Sequence, residues 1–123
     1  MHYDEFMGQV QDRAHLSSTG EALKAARATL GTLGERLAGG EAADLAAQLP
    51  DEVGRFLESG GKDERTSFDL GQFFARVARR EGCDESDAAH HARAVMSVVR
   101  DAVTPGEIAD LRAQLPDEYA PLC

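Results

Sequence analysis

Apolar residues recur at every third or fourth position along most of the chain, which is the spacing of one face of an α-helix. Phe6, Val10 and Ala14 predict a first helix from Tyr3 to about Ala14. The same spacing predicts further helices at about 18–38, 41–49 and 85–103, and shorter ones that begin near Pro50, Ser67 or Asp69, Pro105 and Pro116. Strand-like alternation is absent from the sequence, so the pattern predicts an all-α protein.

Glycines and prolines mark where these helices should pack or end. Gly31 and Gly34 lie inside the second predicted helix, where each costs roughly 1 kcal/mol relative to Ala. We therefore expect another helix to approach the backbone at both positions. Gly39 and Gly40 follow the last apolar residue of that helix and are expected to end it by adopting positive φ.

A twelve-residue segment occurs twice in the chain. Residues 41–52 return at 107–118, an offset of 66, with ten of twelve positions identical. Such a match indicates an internal duplication. We predict a tandem duplication of a four-helix repeat, with the halves related by a pseudo-two-fold axis in one compact helical domain, 1–123. The predicted divisions are repeat one at 3–58, a linker at 59–67 and repeat two at 68–122.

The overall charge narrows the classes of partner. The net charge is −9, from 22 acidic and 13 basic side chains. An acidic surface repels phosphate backbones and anionic lipid headgroups, which disfavours nucleic acid and membranes as partners. The N-terminus has neither the basic nor the apolar region of a signal peptide, and no apolar run reaches the ~20 residues of a membrane span. These features predict a cytoplasmic protein.

One group of residues has metal-ligand chemistry: Cys83, Asp87, His90 and His91. Spacings of four and then three or four residues place Cys83, Asp87 and one histidine on one side of a helix start, and thiolate and imidazole suit zinc. No second pair of ligands follows in the sequence. The alternative is that Cys83 serves as a small apolar residue and that both histidines lie on a polar flank.

Catalysis has weaker support. Asp51 with Glu52 and Asp117 with Glu118 could act as paired carboxylates if they shared a cleft, but acids at helix starts are common because the helix dipole favours them. No nucleophile signature and no phosphate-binding glycine loop is present. We therefore predict no enzyme activity and no cofactor, and we expect Cys123 to be exposed.

The basic residues could form a strip that binds phosphate or an acidic partner. The alternative is that they pair with nearby acids, Glu81 and Asp84 being close in sequence. The residues concerned are Arg76, Arg79, Arg80, Arg93 and Arg100.

Two motifs carry a family resemblance. Residues 33–50 and their echo at 113–119, with the opening at 3–6 and the segment at 91–95, resemble the prokaryotic family catalogued as domain of unknown function 2267. The resemblance implies a compact all-helical cytoplasmic protein, whose relatives are sometimes joined to regulatory domains or found in stress-related settings. It implies no activity and no site residues. Cys83 departs from it, because an aliphatic residue is usual at that position.

Two functions of different classes follow from the sequence. The first is a non-catalytic helical module that binds a protein partner or itself, or takes part in stress-associated regulation. The second is a metal- or small-ligand-binding protein that uses Cys83, Asp87, His90 and His91.

Overall fold

The structure is a computed structural model, and it describes residues 1–37, 40–60 and 67–123. Within these ranges the chain forms helices and no strands, which confirms the all-α prediction. Seven α-helices and one 3₁₀ turn follow in the order α1 (Tyr3–Arg13), α2 (Thr19–Arg36), α3 (Glu41–Ala46), α4 (Asp51–Gly60), α5 (Leu70–Glu81), α6 (Glu85–Ala102), α7 (Pro105–Gln114) and the 3₁₀ turn Asp117–Tyr119.

Side-chain caps define four of the helix starts. Ser18, Asp84 and Thr104 each accept a hydrogen bond from the backbone N–H three residues on, at 3.1, 2.8 and 3.2 Å. Asp69, one of the two predicted caps for α5, forms a reciprocal capping box with Gln72. Each such cap contributes about 1 kcal/mol to helix stability. These local signals explain why the predicted and observed helix starts agree.

The long helices α2 and α6 lie at the centre of the fold, and each packs against α1 and α5. Gly34 lets α4 approach α2, because a Cβ at this position would lie 2.0 Å from the carbonyl oxygen of Leu57. The prediction that another helix approaches the backbone is confirmed at both glycines, because the Phe56 carbonyl oxygen of α4 lies 3.8 Å from a Cβ at Gly31, although only Gly34 requires the absence of a side chain. A Cβ at Gly31 would meet its nearest neighbour, Arg80, at an ordinary 3.7 Å.

The ends of α2 and α3 differ from the predicted ones. α2 stops at Arg36, and Leu37 has extended backbone. Gly40 has φ −85°, so the predicted positive φ is wrong there, and Gly39 lies outside the described residues. α3 stops at Ala46 instead of Leu49. Of the predicted linker, 59–60 belong to α4, and 61–66 lie outside the described residues.

The last element of the second half is a 3₁₀ turn, where a fourth helix was predicted. Pro121 explains the difference, because it has no N–H to bond the carbonyl of Asp117 and so stops a helix from growing. Tyr119 and Leu122 are nevertheless buried. The Tyr119 hydroxyl donates to the carbonyl oxygen of Phe68 at 2.6 Å, which joins this turn to the start of α5.

The first two helices of each predicted repeat have similar lengths, 11 and 12 residues for α1 and α5 and 18 for both α2 and α6. The third helices differ, with 6 residues in α3 and 10 in α7. Duplication and the pseudo-two-fold relation stay predictions. In the described ranges, no helix combines the length and the apolar character that a bilayer crossing requires.

Candidate metal centre

A tight turn between α5 and α6 brings two side chains together. Gly82, directly after α5, has left-handed backbone with φ 80°. Its N–H and that of Cys83 both donate to the carbonyl oxygen of Ala78, at 2.8 and 3.1 Å. Glycine adopts this conformation without strain, which makes it the usual residue at such a helix end. The turn holds Glu81 and Cys83 beside the start of α6.

His91, two turns into α6, completes the group. Its Nδ1 lies within hydrogen-bonding distance of Oε2 of Glu81. Both side chains are largely buried, with exposed fractions of 13% for His91 and 7% for Glu81. The other carboxylate oxygen of Glu81, Oε1, is shielded from solvent and has no hydrogen-bond partner among the described residues. Burial raises the pKa of Glu81 above its ordinary value, although His91 and Lys24 act in the opposite direction.

Three potential ligand atoms converge at this point. One atom each from Glu81, Cys83 and His91 lies within 4.8 Å of the other two. Carboxylate, thiolate and imidazole are the three ligand types that zinc uses in proteins. Burial first, and the carboxylates of Glu81 and Asp87 second, raise the pKa of the Cys83 thiol to about 11. A bound cation would therefore have to displace the thiol proton. We call these three residues the Glu81–Cys83–His91 cluster.

The cluster borders a depression of about 170 Å³, which is also lined by Leu16, Glu21, Lys24 and Gly82. The Glu21 carboxylate is already engaged, because the Ser17 hydroxyl and N–H donate to it at 2.8 and 2.9 Å. The hydroxyl bond is the main reason why its pKa is lowered. The depression therefore has room for a water molecule or a small ligand beside the three potential ligand atoms.

The structure brings together two of the four predicted ligands and separates the other two. Cys83 and His91 belong to the cluster, whereas Asp87 and His90 do not. Asp87 is exposed, and its N–H donates to the capping carboxylate of Asp84. The exposed ring of His90 stacks on His15, with ring centroids 5.9 Å apart.

Sequence reasoning missed Glu81 as a site residue. The sequence indicated it only as a nearby acid that could pair with one of the five arginines, but Glu81 pairs with His91. The arginines pair with Glu35 of α2 instead: Arg76 at 3.4 Å and Arg80 at 2.5 Å. The available signal was the position of Glu81, directly before the glycine that ends α5.

Asp51 and Glu52 border a different depression from Asp117. Asp51 and Glu52 line one together with the N-terminal residues 1–4. Asp117 lines another, together with Arg112 and Cys123. Neither of these two depressions combines residues of both pairs.

Cys123 is buried, with 7% exposure, so the prediction that it is exposed is wrong. The chain folds back after the 3₁₀ turn, and Arg112 donates to the carbonyl oxygen of Cys123 from Nε at 2.9 Å and from Nη2 at 2.5 Å. Burial raises the pKa of its thiol to about 11.

Comparison with known proteins gives one family. No curated protein sequence matches the chain. The profile of the family described as "Uncharacterized conserved protein (DUF2267)" matches residues 3–122, almost the whole length. The chain therefore belongs to the DUF2267 family of uncharacterized conserved proteins.

Proposed function

We propose that this protein is a non-catalytic module that binds one divalent cation of the zinc class through Glu81, Cys83 and His91. The observation that carries the proposal is the convergence of a carboxylate, a thiol and an imidazole within 4.8 Å. The buried and unpartnered Oε1 of Glu81 supports it, because a buried carboxylate oxygen without a partner is unfavourable and a metal ion would satisfy it.

The ligand types favour zinc over harder cations. Ca²⁺ and Mg²⁺ prefer sites made of oxygen atoms alone, whereas thiolate and imidazole select zinc and similar ions. Three protein ligands leave one position of a tetrahedral ion open to the depression. The charges also balance, because a thiolate and a carboxylate together neutralise a divalent ion.

A bound ion would fasten the end of α5 to α6 across the Gly82 turn. Because the ligands come together only in the folded chain, binding should stabilise the protein. The stabilisation is about 2.7 kcal/mol at a free ion concentration one hundred times the Kd. The proposed function is therefore a metal-dependent change in the stability of the α5–α6 pair.

The test is calorimetric titration of metal-stripped protein with Zn²⁺, followed by thermal unfolding of the loaded and stripped forms. We expect one equivalent to bind and the melting temperature to rise. Glu81→Gln, Cys83→Ala and His91→Gln should each weaken binding by at least tenfold. The matched controls are Glu85→Gln and His90→Gln, adjacent residues of the same chemistry outside the cluster.

Two outcomes would reject the metal proposal. One is binding well below one equivalent by wild-type protein. The other is an equal loss of binding in His90→Gln and His91→Gln, which would indicate nonspecific binding by surface histidines.

Association with a partner protein or a second copy, stress-associated regulation and a cytoplasmic location remain part of this proposal. The net charge of −9 supports recognition by charge. Among the described residues, Met1 alone is a large hydrophobic residue with an exposed side chain. A partner would therefore contact a mainly polar surface. Native mass spectrometry tests this together with the metal. A 13.2 kDa monomer that carries no ion and captures no partner from a lysate would contradict both functions.

A further inference from the structure

The two copies of the repeated segment meet in space. α3 carries the first copy and α7 the second, and these helices pack against each other. Each copy begins with a glutamate, Glu41 in the first and Glu107 in the second. Glu107 is 7% exposed, and its side chain interacts with that of Glu41 across this contact. The contact therefore places two glutamates from the same position of the repeated segment next to each other.

Two carboxylates in such a position lack a compensating partner. The Oε2 atoms of Glu41 and Glu107 are both shielded from solvent, and neither has a donor among the described residues. Two touching anions removed from water are strongly unfavourable. A proton on one carboxyl turns it into a donor, and the hydrogen bond then satisfies both side chains.

The surrounding charges do not offset the repulsion. Asp110 on α7 and Asp44 on α3 also act on Glu41, and both are acids. Asp51, Arg55 and Glu58 are the charged residues of α4 near α3. They border a depression lined by Ala43, Ala46 and Ala47. The dipole of a helix start favours an anion at Glu41, but burial has the larger effect. Burial first, and Glu107 second, raise the pKa of Glu41 to about 7.

We propose that Glu41 and Glu107 share one proton across the α3–α7 contact, and that release of this proton loosens the contact between the two repeated segments. A second bond in the same contact does not titrate: Oε1 of Gln48 accepts from the N–H of Thr104 at 2.8 Å. Proton release would therefore weaken the bond between Glu41 and Glu107 and leave the Gln48–Thr104 bond in place. The proposal does not depend on the metal function.

The sign of the effect on stability follows from the direction of the pKa change. Between the ordinary value of 4.5 and about 7, the folded protein holds a proton on Glu41 that the unfolded chain has lost. The contribution of this pair to stability is then fully present below about pH 4.5 and is lost as the pH rises through the folded pKa of about 7. Metal-stripped protein in a chelating buffer shows this change without a contribution from bound metal.

The test combines ¹³C NMR titration of the glutamate carboxyls with thermal unfolding between about pH 5.5 and 8.5. We expect the Glu41 carboxyl to titrate near pH 7 and the wild-type melting temperature to fall by several degrees over this range. Glu41→Gln should remove most of the fall, because an amide donates to Glu107 at every pH. In Asp44→Asn and Asp110→Asn, which neutralise neighbouring acids, the melting temperature should still fall over this pH range.

Three results would overturn the proposal. The first is titration of Glu41 near its ordinary value, which wild-type protein alone can show if the variant does not fold. The second is an equal fall in melting temperature in Glu41→Gln and wild type. In the third, Mg²⁺ or Ca²⁺ restores the melting temperature of wild-type protein at high pH but has no such effect on Glu41→Gln. This result would mean that a cation occupies the contact.

Discussion

Arg13 of α1 donates to the carboxylate of Asp101 in α6 at 2.6 Å, and this bond has a counterpart in the other half. Arg80 of α5 pairs with Glu35 of α2 at 2.5 Å. When the halves are aligned, Arg13 matches Arg80 at an offset of 67, and Glu35 matches Asp101 at 66. An arginine from the first helix of each predicted repeat therefore bonds to the second helix of the other predicted repeat. Such an exchange is the relation that a two-fold axis produces.

Double-mutant cycles on the two pairs should give different coupling energies. Exposed ion pairs contribute about 0.2–1 kcal/mol. We expect the coupling energy of Arg13–Asp101 near the lower end of this range, because the Asp101 side chain is 57% exposed. That of Arg80–Glu35 should lie near the upper end, because the Glu35 side chain is 24% exposed. Urea unfolding of the single and double alanine variants provides the measurement. A larger coupling for Arg13–Asp101 would contradict this ranking.

Gly34→Ala should destabilise the protein strongly, whereas Gly31→Ala should not. The new methyl group at position 34 would overlap the Leu57 carbonyl oxygen, which lies 2.0 Å from the Cβ position, and α4 would have to move. Overpacking of this kind costs about 1–3 kcal/mol or more. At Gly31 the nearest atom is 3.7 Å away, so the gain in helix propensity, up to about 1 kcal/mol, should dominate. Equal effects of the two substitutions in thermal unfolding would refute this difference.

Gly82→Ala tests whether the turn positions the metal ligands. A Cβ at this position meets no atom within 4 Å, so the expected loss of about 1 kcal/mol comes from the left-handed backbone with φ 80°. If the turn shifts, the affinity for Zn²⁺ should fall together with stability. Gly106→Ala, also in open space, is the control and should leave zinc affinity unchanged. Unaltered zinc binding in Gly82→Ala would show that the turn does not position the metal ligands.

Tyr119→Phe should cost about 0.5–1.5 kcal/mol, the net contribution of one buried hydrogen bond. The lost bond is the one from the Tyr119 hydroxyl to the Phe68 carbonyl oxygen, at 2.6 Å. Burial raises the pKa of Tyr119, which keeps the donor protonated. The guanidinium of Arg36 donates to the same oxygen at 3.1 Å, so the acceptor is not left alone. In denaturant unfolding, the loss of stability should be larger for Tyr119→Phe than for Tyr3→Phe, because the ring of Tyr3 is half-exposed.

Helix starts were predictable from the sequence because their determinants are local. Ser18, Asp84 and Thr104 act within one helical turn of themselves. The candidate site was only partly predictable, because Glu81 and His91 meet through the turn at Gly82, which helical spacing alone does not reveal. The true partner of Arg80 was missed for a similar reason, since Glu35 lies 45 residues away in sequence. Cys123 was misplaced because proximity to a chain end says nothing about the packing of the residues before it.

On the predicted duplication, the meeting of Glu41 with Glu107 restricts how the two repeats can diverge. Arg13 and Asp101 occupy different positions of the repeat, so opposite charges can evolve on the two sides of their contact. A position that touches its own counterpart has no such freedom while the halves are alike, because any charge placed there is repeated opposite itself. A proton is the smallest addition that makes two identical side chains complementary, and it requires no change in sequence. The Glu41–Glu107 contact therefore allows the halves to keep the same residue at the point where they meet.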